Sequence, residues 1–134
     1  MRAGAKPAEL SAAVSRKRFQ EVKDIARGLQ TLELFAEGRA AGIFLDDSFK
    51  GLELTDELID MIRFIEGIEL AVLMKSEGNG SCRVRMRSEA RDVSELARKL
   101  GGGGHRDAAG ATIFAKFDIA KDILQEEVSS YLRC

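Results

Sequence analysis

Four consecutive glycines, followed directly by a histidine and an arginine, constrain this chain more than any other feature. The run comprises Gly101, Gly102, Gly103 and Gly104, and His105 after it is the only histidine among 134 residues. Glycine loses more backbone freedom on folding than any other residue, so such a run is costly to order. Backbone amides without side chains can approach a ligand closely, and the following cation favours an anion. The run therefore predicts an anion-binding loop. A loose linker is the alternative, which the apolar periodicity on both sides disfavours.

The composition is typical of one ordinary domain. Apolar residues make up 45% of the chain and charged residues 32%, which is unlike a disordered sequence. No apolar run approaches the ~20 residues of a membrane helix, and the N-terminus lacks the apolar core of a signal peptide. Cys82 and Cys134 are too few for a disulfide framework. We therefore expect a cytoplasmic location, with Cys82 as a small core residue and Cys134 as part of a frayed tail.

The net charge of −1 conceals an alternation of basic and acidic segments. Residues 1–27 and 81–106 each carry seven Lys or Arg against three acids, whereas 28–80 carry four against eleven and 107–134 three against five. The second basic segment runs into the glycine run, where it is placed to serve a phosphate ligand. An ordinary solvated face is the alternative interpretation.

Hydrophobic periodicity predicts an α/β domain with a mixed sheet of about five strands flanked by helices. A basic helix from Ala8 to about Leu29 comes first; because it has no earlier element to pack against, it indicates a connector (1–29) from a longer protein. The domain then occupies 30–134. Its predicted strands are Thr31–Ala36, Ala41–Asp46, Ile68–Lys75, Ser81–Ser88 and Ala111–Phe117.

Capping residues place the remaining helices. Thr55 is expected to cap a helix that ends at Gly67, and Asp92 a helix that stops at the glycine run. Asp118 is expected to cap the last helix. The stretch from His105 to Gly110 is expected to form one helical turn, and the strand after it to be largely buried through Ile113, Phe114 and Phe117.

The strand before the glycine run has two different faces. Cys82, Val84 and Met86 alternate with three arginines, Arg83, Arg85 and Arg87, so the arginines share one side. Like charges in a row repel unless solvent or an anion lies beside them. This pattern favours either an anion-binding face or a plainly solvent-exposed one.

Catalytic chemistry is poorly represented. The glycine run matches neither G-x-x-x-x-G-K-[ST] nor G-x-G-x-x-G, since Arg106 stands where the last glycine is needed. One histidine is too few for a metal-dependent hydrolase, and the pair Asp46 and Asp47 points to opposite faces of a strand. No nucleophile has a histidine base beside it. The residues predict a chain that binds an anion and does not cleave it unaided.

Two motifs resemble those of a known family. Gly101–His105 followed by Ala108-Ala109-Gly110 is similar to the signature of the DHH-associated C-terminal domain, found in RecJ-like exonucleases and NrnA-type oligoribonuclease/PAP phosphatases. The resemblance extends to Arg87-Ser88, to Asp92-Val93-Ser94 and to the segment 65–73, and covers roughly residues 30–133.

The resemblance implies a role for particular residues. It implies a partner DHH domain that holds two manganese ions, a domain absent from this chain, which contains no Asp-His-His triplet. This chain would be the substrate-binding part, with no cofactor of its own. Arg87, Ser88, His105 and the glycines Gly101, Gly102, Gly103 and Gly104 would hold the phosphate and sugar of a short RNA, DNA or nucleotide. Arg85, where many relatives carry a small polar residue, is a further candidate.

Two other functions remain open. The chain is also compatible with a tRNA- or RNA-binding module, since alanyl-tRNA synthetases carry a related glycine-rich C-terminal domain. It is further compatible with the same domain taken from a cyclic-dinucleotide phosphodiesterase. The Asp-Val-Ser spacing before the loop and the connector-like helix favour the phosphoesterase.

Overall fold

The computed structural model describes residues 18–133, which form one mixed six-stranded sheet with helices on both faces. The predicted α/β class is therefore confirmed, with one strand more than expected. In chain order the elements are α1 Phe19–Leu29, β1 Glu33–Phe35, β2 Ala40–Leu45, a 3₁₀ turn Asp47–Phe49, α2 Thr55–Ile62, β3 Leu70–Ser76, β4 Cys82–Arg87, α3 Val93–Lys99, β5 Gly103–Gly104, β6 Ala108–Ile113 and α4 Phe117–Arg133.

The sheet has the strand order β1-β2-β3-β4-β6-β5. Strands β2 and β3 are parallel, and α2 lies in the connection between them. Every other neighbouring pair is antiparallel. The predicted hairpin between β3 and β4 is confirmed, with the Glu77 amide donating to the Ser81 carbonyl at 2.9 Å. The short strand β5 forms one edge, so the glycine run ends as an edge strand.

Two hydrophobic clusters fill the two faces of the sheet. The larger joins α3 and α4 to residues from β2, β3, β4 and β6. The smaller joins α1 and α2 to residues of β2 and β3, with Ala41, Ile43, Leu45, Ala71 and Leu73 as its sheet members. Among the described residues, β4 and β6 contribute to the larger cluster alone. On the sheet face where α1 and α2 lie, these helices therefore cover only the half formed by β2 and β3.

The sequences of β3 and β4 explain this asymmetry. Residues 70–74 of β3 are apolar throughout and buried, as expected of a strand covered on both faces. In β4, Cys82, Val84 and Met86 are buried and the arginines between them are not. The predicted alternation is confirmed. Burial also raises the pKa of the Cys82 thiol, in keeping with its predicted place in the core.

Two predicted boundaries of α2 are wrong. Leu54, not Thr55, occupies the cap position, because the Leu58 amide donates to the Leu54 carbonyl at 3.1 Å. Thr55 is instead the first helical residue and is buried. The helix ends at Ile62, five residues before Gly67. The intervening residues form turns closed by the Ile65 and Ile68 amides.

The buried strand predicted from Ala111 to Phe117 is also wrong in its extent. Strand β6 spans Ala108–Ile113, and Phe114 after it is 86% exposed. Phe117 begins α4, where the Ala120 amide donates to the Lys116 carbonyl at 2.8 Å. Asp118 is therefore the second residue of α4, and the prediction that it caps this helix is wrong.

The first predicted helix lies only partly within the described residues. Its second half is confirmed as α1, where Ile25 and Gly28 face the sheet while Phe19 and Val22 are exposed. The predicted start at Ala8 and the tail residue Cys134 lie outside the described residues. Within residues 18–133, no helix has the length and apolar character needed to span a membrane.

Candidate functional site

The uncovered half of the α1/α2 face is lined by the arginines of β4. Arg87 is 16% exposed and Arg85 41% exposed in their side chains, and Arg83 is exposed. Across the strand pair, Ala108, Gly110 and Thr112 of β6 stand opposite Arg87, Arg85 and Arg83 respectively. Directly opposite residues of antiparallel strands share a face. The long cationic side chains therefore border a floor of small residues.

These residues form an open groove of about 350 Å³. One side carries the three arginines, and the other carries Gly103 and Gly104 of the edge strand, with Ala108, Ala109 and Gly110 between them. Guanidinium groups present fixed forks of N–H donors that match phosphate oxygens. The groove can therefore hold an anion against a glycine wall that offers no side-chain obstruction.

Three of the four glycines of the run have a structural reason to be glycine. Gly101 ends α3 with a φ of +86°, the left-handed position that usually takes glycine after a helix. A Cβ on Gly102 would lie 2.1 Å from the Gly110 carbonyl oxygen, and one on Gly104 would lie 2.6 Å from the Ala109 Cα. A Cβ on Gly103 would meet nothing within 4 Å. Gly101 and Gly102 thus fix the hairpin, and Gly103 and Gly104 line the groove.

The helical turn predicted from His105 to Gly110 is wrong, because this stretch is the turn and second strand of a hairpin. The His105 amide donates to the Ala108 carbonyl at 2.8 Å, and the Gly102 amide donates back to Ala97 at 2.7 Å. These two amides are engaged within the protein. An anion cradle built from the amides of 102–105 at a helix start is therefore not what the structure contains.

The hairpin turn is fastened to the segment that follows β4. The Ser88 amide donates to the Asp107 carbonyl at 3.1 Å, and the Val93 amide donates to the Arg106 carbonyl at 2.8 Å. Exposed His105 thus stands at the end of the groove nearest Arg87, whose partner in the sheet is Ala108. His105 does not line the groove itself.

Ser88 has a supporting position instead of a place in the groove. It is 5% exposed. Its hydroxyl donates to the Glu69 carbonyl at 2.5 Å and accepts from the Arg91 amide at 2.9 Å. Both directions of hydrogen bonding are therefore used within the protein. Ser88 holds the loop between β4 and α3 beneath the hairpin turn.

Glu69 links the loop between β4 and α3 to Arg39, which directly precedes β2. Its carboxylate accepts from Arg39 Nε at 2.7 Å and from Arg91 at 3.1 Å. The hydrogen bond from Arg39 holds the pKa of Glu69 below its usual value, with a further contribution from Arg91. The pKa of Asp92 is likewise lowered, first by the Ser94 hydroxyl. The predicted cap of α3 is confirmed, since Asp92 accepts from the Ser94 amide at 3.0 Å.

An acidic side chain of α2 reaches the arginines of the groove. Asp56, in the first turn of α2, places Oδ1 3.1 Å from a guanidinium nitrogen of Arg85 and 3.4 Å from one of Arg87. Arg87 also donates to its own strand at the Met86 carbonyl, 2.9 Å away. These contacts hold the two guanidinium groups close to each other.

The residues predicted from sequence are thus only partly brought together. Arg85, Arg87, Gly103 and Gly104 line the groove, whereas Gly101, Gly102, His105 and Ser88 surround and support it. The site residues predicted from sequence did not include Arg83 or Asp56. The alternation of β4 contained the signal for Arg83; no sequence pattern signals Asp56, because its contact with β4 spans about thirty residues.

The described part of the chain does not supply a metal centre. Residues 18–133 contain no group of three His, Cys, Asp or Glu side chains placed to hold a metal ion. The manganese ions implied by the family resemblance therefore do not fit these residues, and no catalytic step through a metal follows from them.

Sequence comparison places the chain among DHH-associated domains. Residues 51–132 match the DHHA1 domain family. The chain is 30% identical over 111 residues to the bifunctional oligoribonuclease and PAP phosphatase NrnA of Thermus thermophilus, covering 82% of this chain and 34% of that protein. It is 29% identical over 101 residues to the probable bifunctional oligoribonuclease and PAP phosphatase NrnA of Streptococcus mutans, covering 72% and 32%. The chain thus spans about a third of the length of these relatives.

Solved structures share the fold. An exopolyphosphatase-related protein from Bacteroides fragilis superposes with a TM-score of 0.80 at 16% identity, over 93% of this chain and 39% of that one. A pGpG-specific phosphodiesterase from Vibrio cholerae superposes with a TM-score of 0.57 at 12% identity, over 85% and 39%. At identities this low, the similarity shows a shared fold and no more. The family match covers more than half of the sequence, and on that ground the chain belongs to the DHHA1 domain family, as the resemblance of the glycine run implied.

Proposed function

We propose that this chain is the substrate-binding domain of a manganese-dependent DHH-family phosphoesterase acting on short oligoribonucleotides or pAp-like nucleotides. The observation that carries the proposal is the groove in which Arg83, Arg85 and Arg87 face the glycine strand. Its cations suit phosphate, and its unobstructed wall leaves room for a sugar. The naming of the curated relatives as oligoribonuclease and PAP phosphatase supports this ligand class.

In this proposal the chemistry is divided between two domains. The groove binds and orients the ligand's phosphate, and His105 at its end donates a hydrogen bond to a phosphate oxygen or ribose hydroxyl. A DHH domain supplies the manganese ions and the attacking water. The chain alone is then expected to show no manganese-dependent hydrolysis of short RNA or pAp. Turnover by the purified chain that His105→Ala abolishes would contradict this division.

The binding role is tested by removing one groove arginine. A 5′-phosphorylated RNA trinucleotide is titrated against wild type and Arg87→Ala at several salt concentrations. We expect a roughly five- to tenfold weaker Kd and a salt slope reduced by about one for Arg87→Ala, because one phosphate contact is lost.

Arg63→Ala is the matched control. Arg63 is similarly buried, at 23% side-chain exposure, but pairs with Asp60 and Glu89 outside the groove. The Arg63→Ala variant should bind the RNA trinucleotide with an affinity close to that of wild type. Equal affinities for wild type, Arg87→Ala and Arg63→Ala would contradict the assigned groove. Preferential binding of a tRNA or of a cyclic dinucleotide would favour one of the two alternative functions.

A further inference from the structure

Asp56 binds one guanidinium nitrogen of each of two arginines that line the groove. Its Oδ1 lies within 3.4 Å of guanidinium nitrogens of both Arg85 and Arg87, and both arginines line the groove. A single carboxylate oxygen shared by two guanidinium groups resembles the way a phosphate oxygen would be held. The carboxylate therefore takes a position on these two arginines that a phosphate oxygen could take.

The stability of α2 does not account for this contact. An acidic residue in the first helical turn is favoured by the helix dipole wherever its side chain points, and Glu57 beside it is also acidic. The Asp56 side chain is 63% exposed, and exposed ion pairs contribute little to folding. Its contacts with two groove arginines therefore require another explanation.

We propose that Asp56 is an internal competing anion that sets the affinity of the groove, an inference that rests on the proposed phosphate-binding function. An incoming phosphate displaces the carboxylate from Arg85 and Arg87, and the carboxylate, more than half exposed, turns towards solvent. Asp56 thereby lowers the affinity for each bound phosphate and speeds release of the bound nucleotide. Asp56 thus sets the affinity of the groove without contact to the bound ligand.

The experiment compares two isosteric substitutions on the same helix. Asp56→Asn removes the competing charge. Asp60→Asn makes the same change in net charge one turn later, at a residue of 60% side-chain exposure whose carboxylate lies 3.4 Å from Arg63, outside the groove. Thermal unfolding of both variants first establishes that they are folded. The probe is the same 5′-phosphorylated RNA trinucleotide, with inorganic phosphate as a second ligand.

We expect Asp56→Asn to tighten the Kd for the trinucleotide about three- to tenfold and to steepen its salt dependence, because a partly exposed ion pair is a weak competitor. Asp60→Asn should remain within about twofold of wild type. In an Arg87→Ala background the gain from Asp56→Asn should shrink, because one of the released donors is gone and the two changes are coupled.

Two results would overturn the inference. Weaker binding by Asp56→Asn would mean that the carboxylate holds the guanidinium groups in place for the ligand. Equal gains for Asp56→Asn and Asp60→Asn would mean that only net charge matters. The Arg87→Ala arm separates these results from failure of the proposed function: if Arg87→Ala binds as wild type, the groove itself is wrongly assigned.

Discussion

The two halves of one sheet face differ in what covers them. Leu73 of β3 and Arg85 of β4 stand directly opposite each other on that face. Leu73 is 1% exposed and belongs to the cluster beneath α1 and α2, whereas the Arg85 side chain is 41% exposed and borders the groove. The boundary between core and candidate site therefore runs between two neighbouring strands.

A small domain can thus keep a binding surface open on its sheet without forming a separate cavity. Within residues 18–133, helices α1 and α2 pack on β2 and β3, and no helix covers the same face of β4, β6 and β5. The free face carries arginines and small residues, which do not require a cover. A basic groove beside a complete apolar core follows from where the helices end.

The largest effect that tests this comparison is expected at Leu73. Leu73→Ala should lower the free energy of unfolding by about 2–5 kcal/mol, because it leaves a cavity under α2. Arg85→Ala, at the opposite position, should stay within about 0.5 kcal/mol of wild type, as solvent-exposed substitutions usually do. Urea denaturation of both variants measures the difference. Similar losses for both would mean that the two halves are equally part of the core.

The glycine run offers the next largest contrast. Gly102→Ala should destabilise the protein by about 1–3 kcal/mol, since its Cβ would lie 2.1 Å from the Gly110 carbonyl oxygen and overpack the hairpin. Gly103→Ala has open space around the added methyl group and should unfold nearly as wild type does. Its methyl group borders the groove and should weaken trinucleotide binding instead. A Gly103→Ala variant as unstable as Gly102→Ala would contradict these separate roles.

The smallest expected effect concerns Glu69, which links the two halves through Arg39 and Arg91. Its pKa is lowered in the folded protein from an ordinary value of 4.5. The folded state therefore binds protons less readily than the unfolded state, and this stabilisation is present above about pH 4.5 and is lost as the pH falls below it.

Thermal unfolding between pH 3 and 7 tests this link. Wild type should lose more stability on acidification than Glu69→Gln, by less than about 1 kcal/mol, because the pair is partly solvent-exposed. Glu66→Gln changes the same charge at an exposed turn residue and should follow the wild-type pH profile. Parallel profiles for wild type and Glu69→Gln would show that the Arg39 and Arg91 contacts do not couple to folding.

Most elements of the fold were predictable from local patterns. The apolar run of β3, the alternation in β4, the glycine turn between them and the Asp92 cap each depend on neighbouring residues. The errors lie at boundaries. Thr55 and Gly67 had suitable chemistry for a helix cap and a helix end, but backbone hydrogen bonds placed the first turn of α2 one residue earlier and ended it at Ile62.

The glycine hairpin shows why part of the site could not be predicted. From sequence alone, His105–Gly110 was compatible with a helical turn, because no local residue forbids one. Pairing of β6 with β4 and of β5 with β6 made the stretch extended. Such pairing depends on strands distant in the chain, which also explains how Ser88 became a buried support instead of a groove residue.

Residue types and short spacings were enough to predict the α/β class, the basic face of β4 and the family to which the glycine run belongs. Local patterns did not predict which glycines line the groove, the exposure of Phe114, or the contact of Asp56 with Arg85 and Arg87. These facts depend on how α2 packs on β2 and β3 and on how β6 pairs with β4. That packing is set by contacts between distant segments, which short-range patterns do not encode.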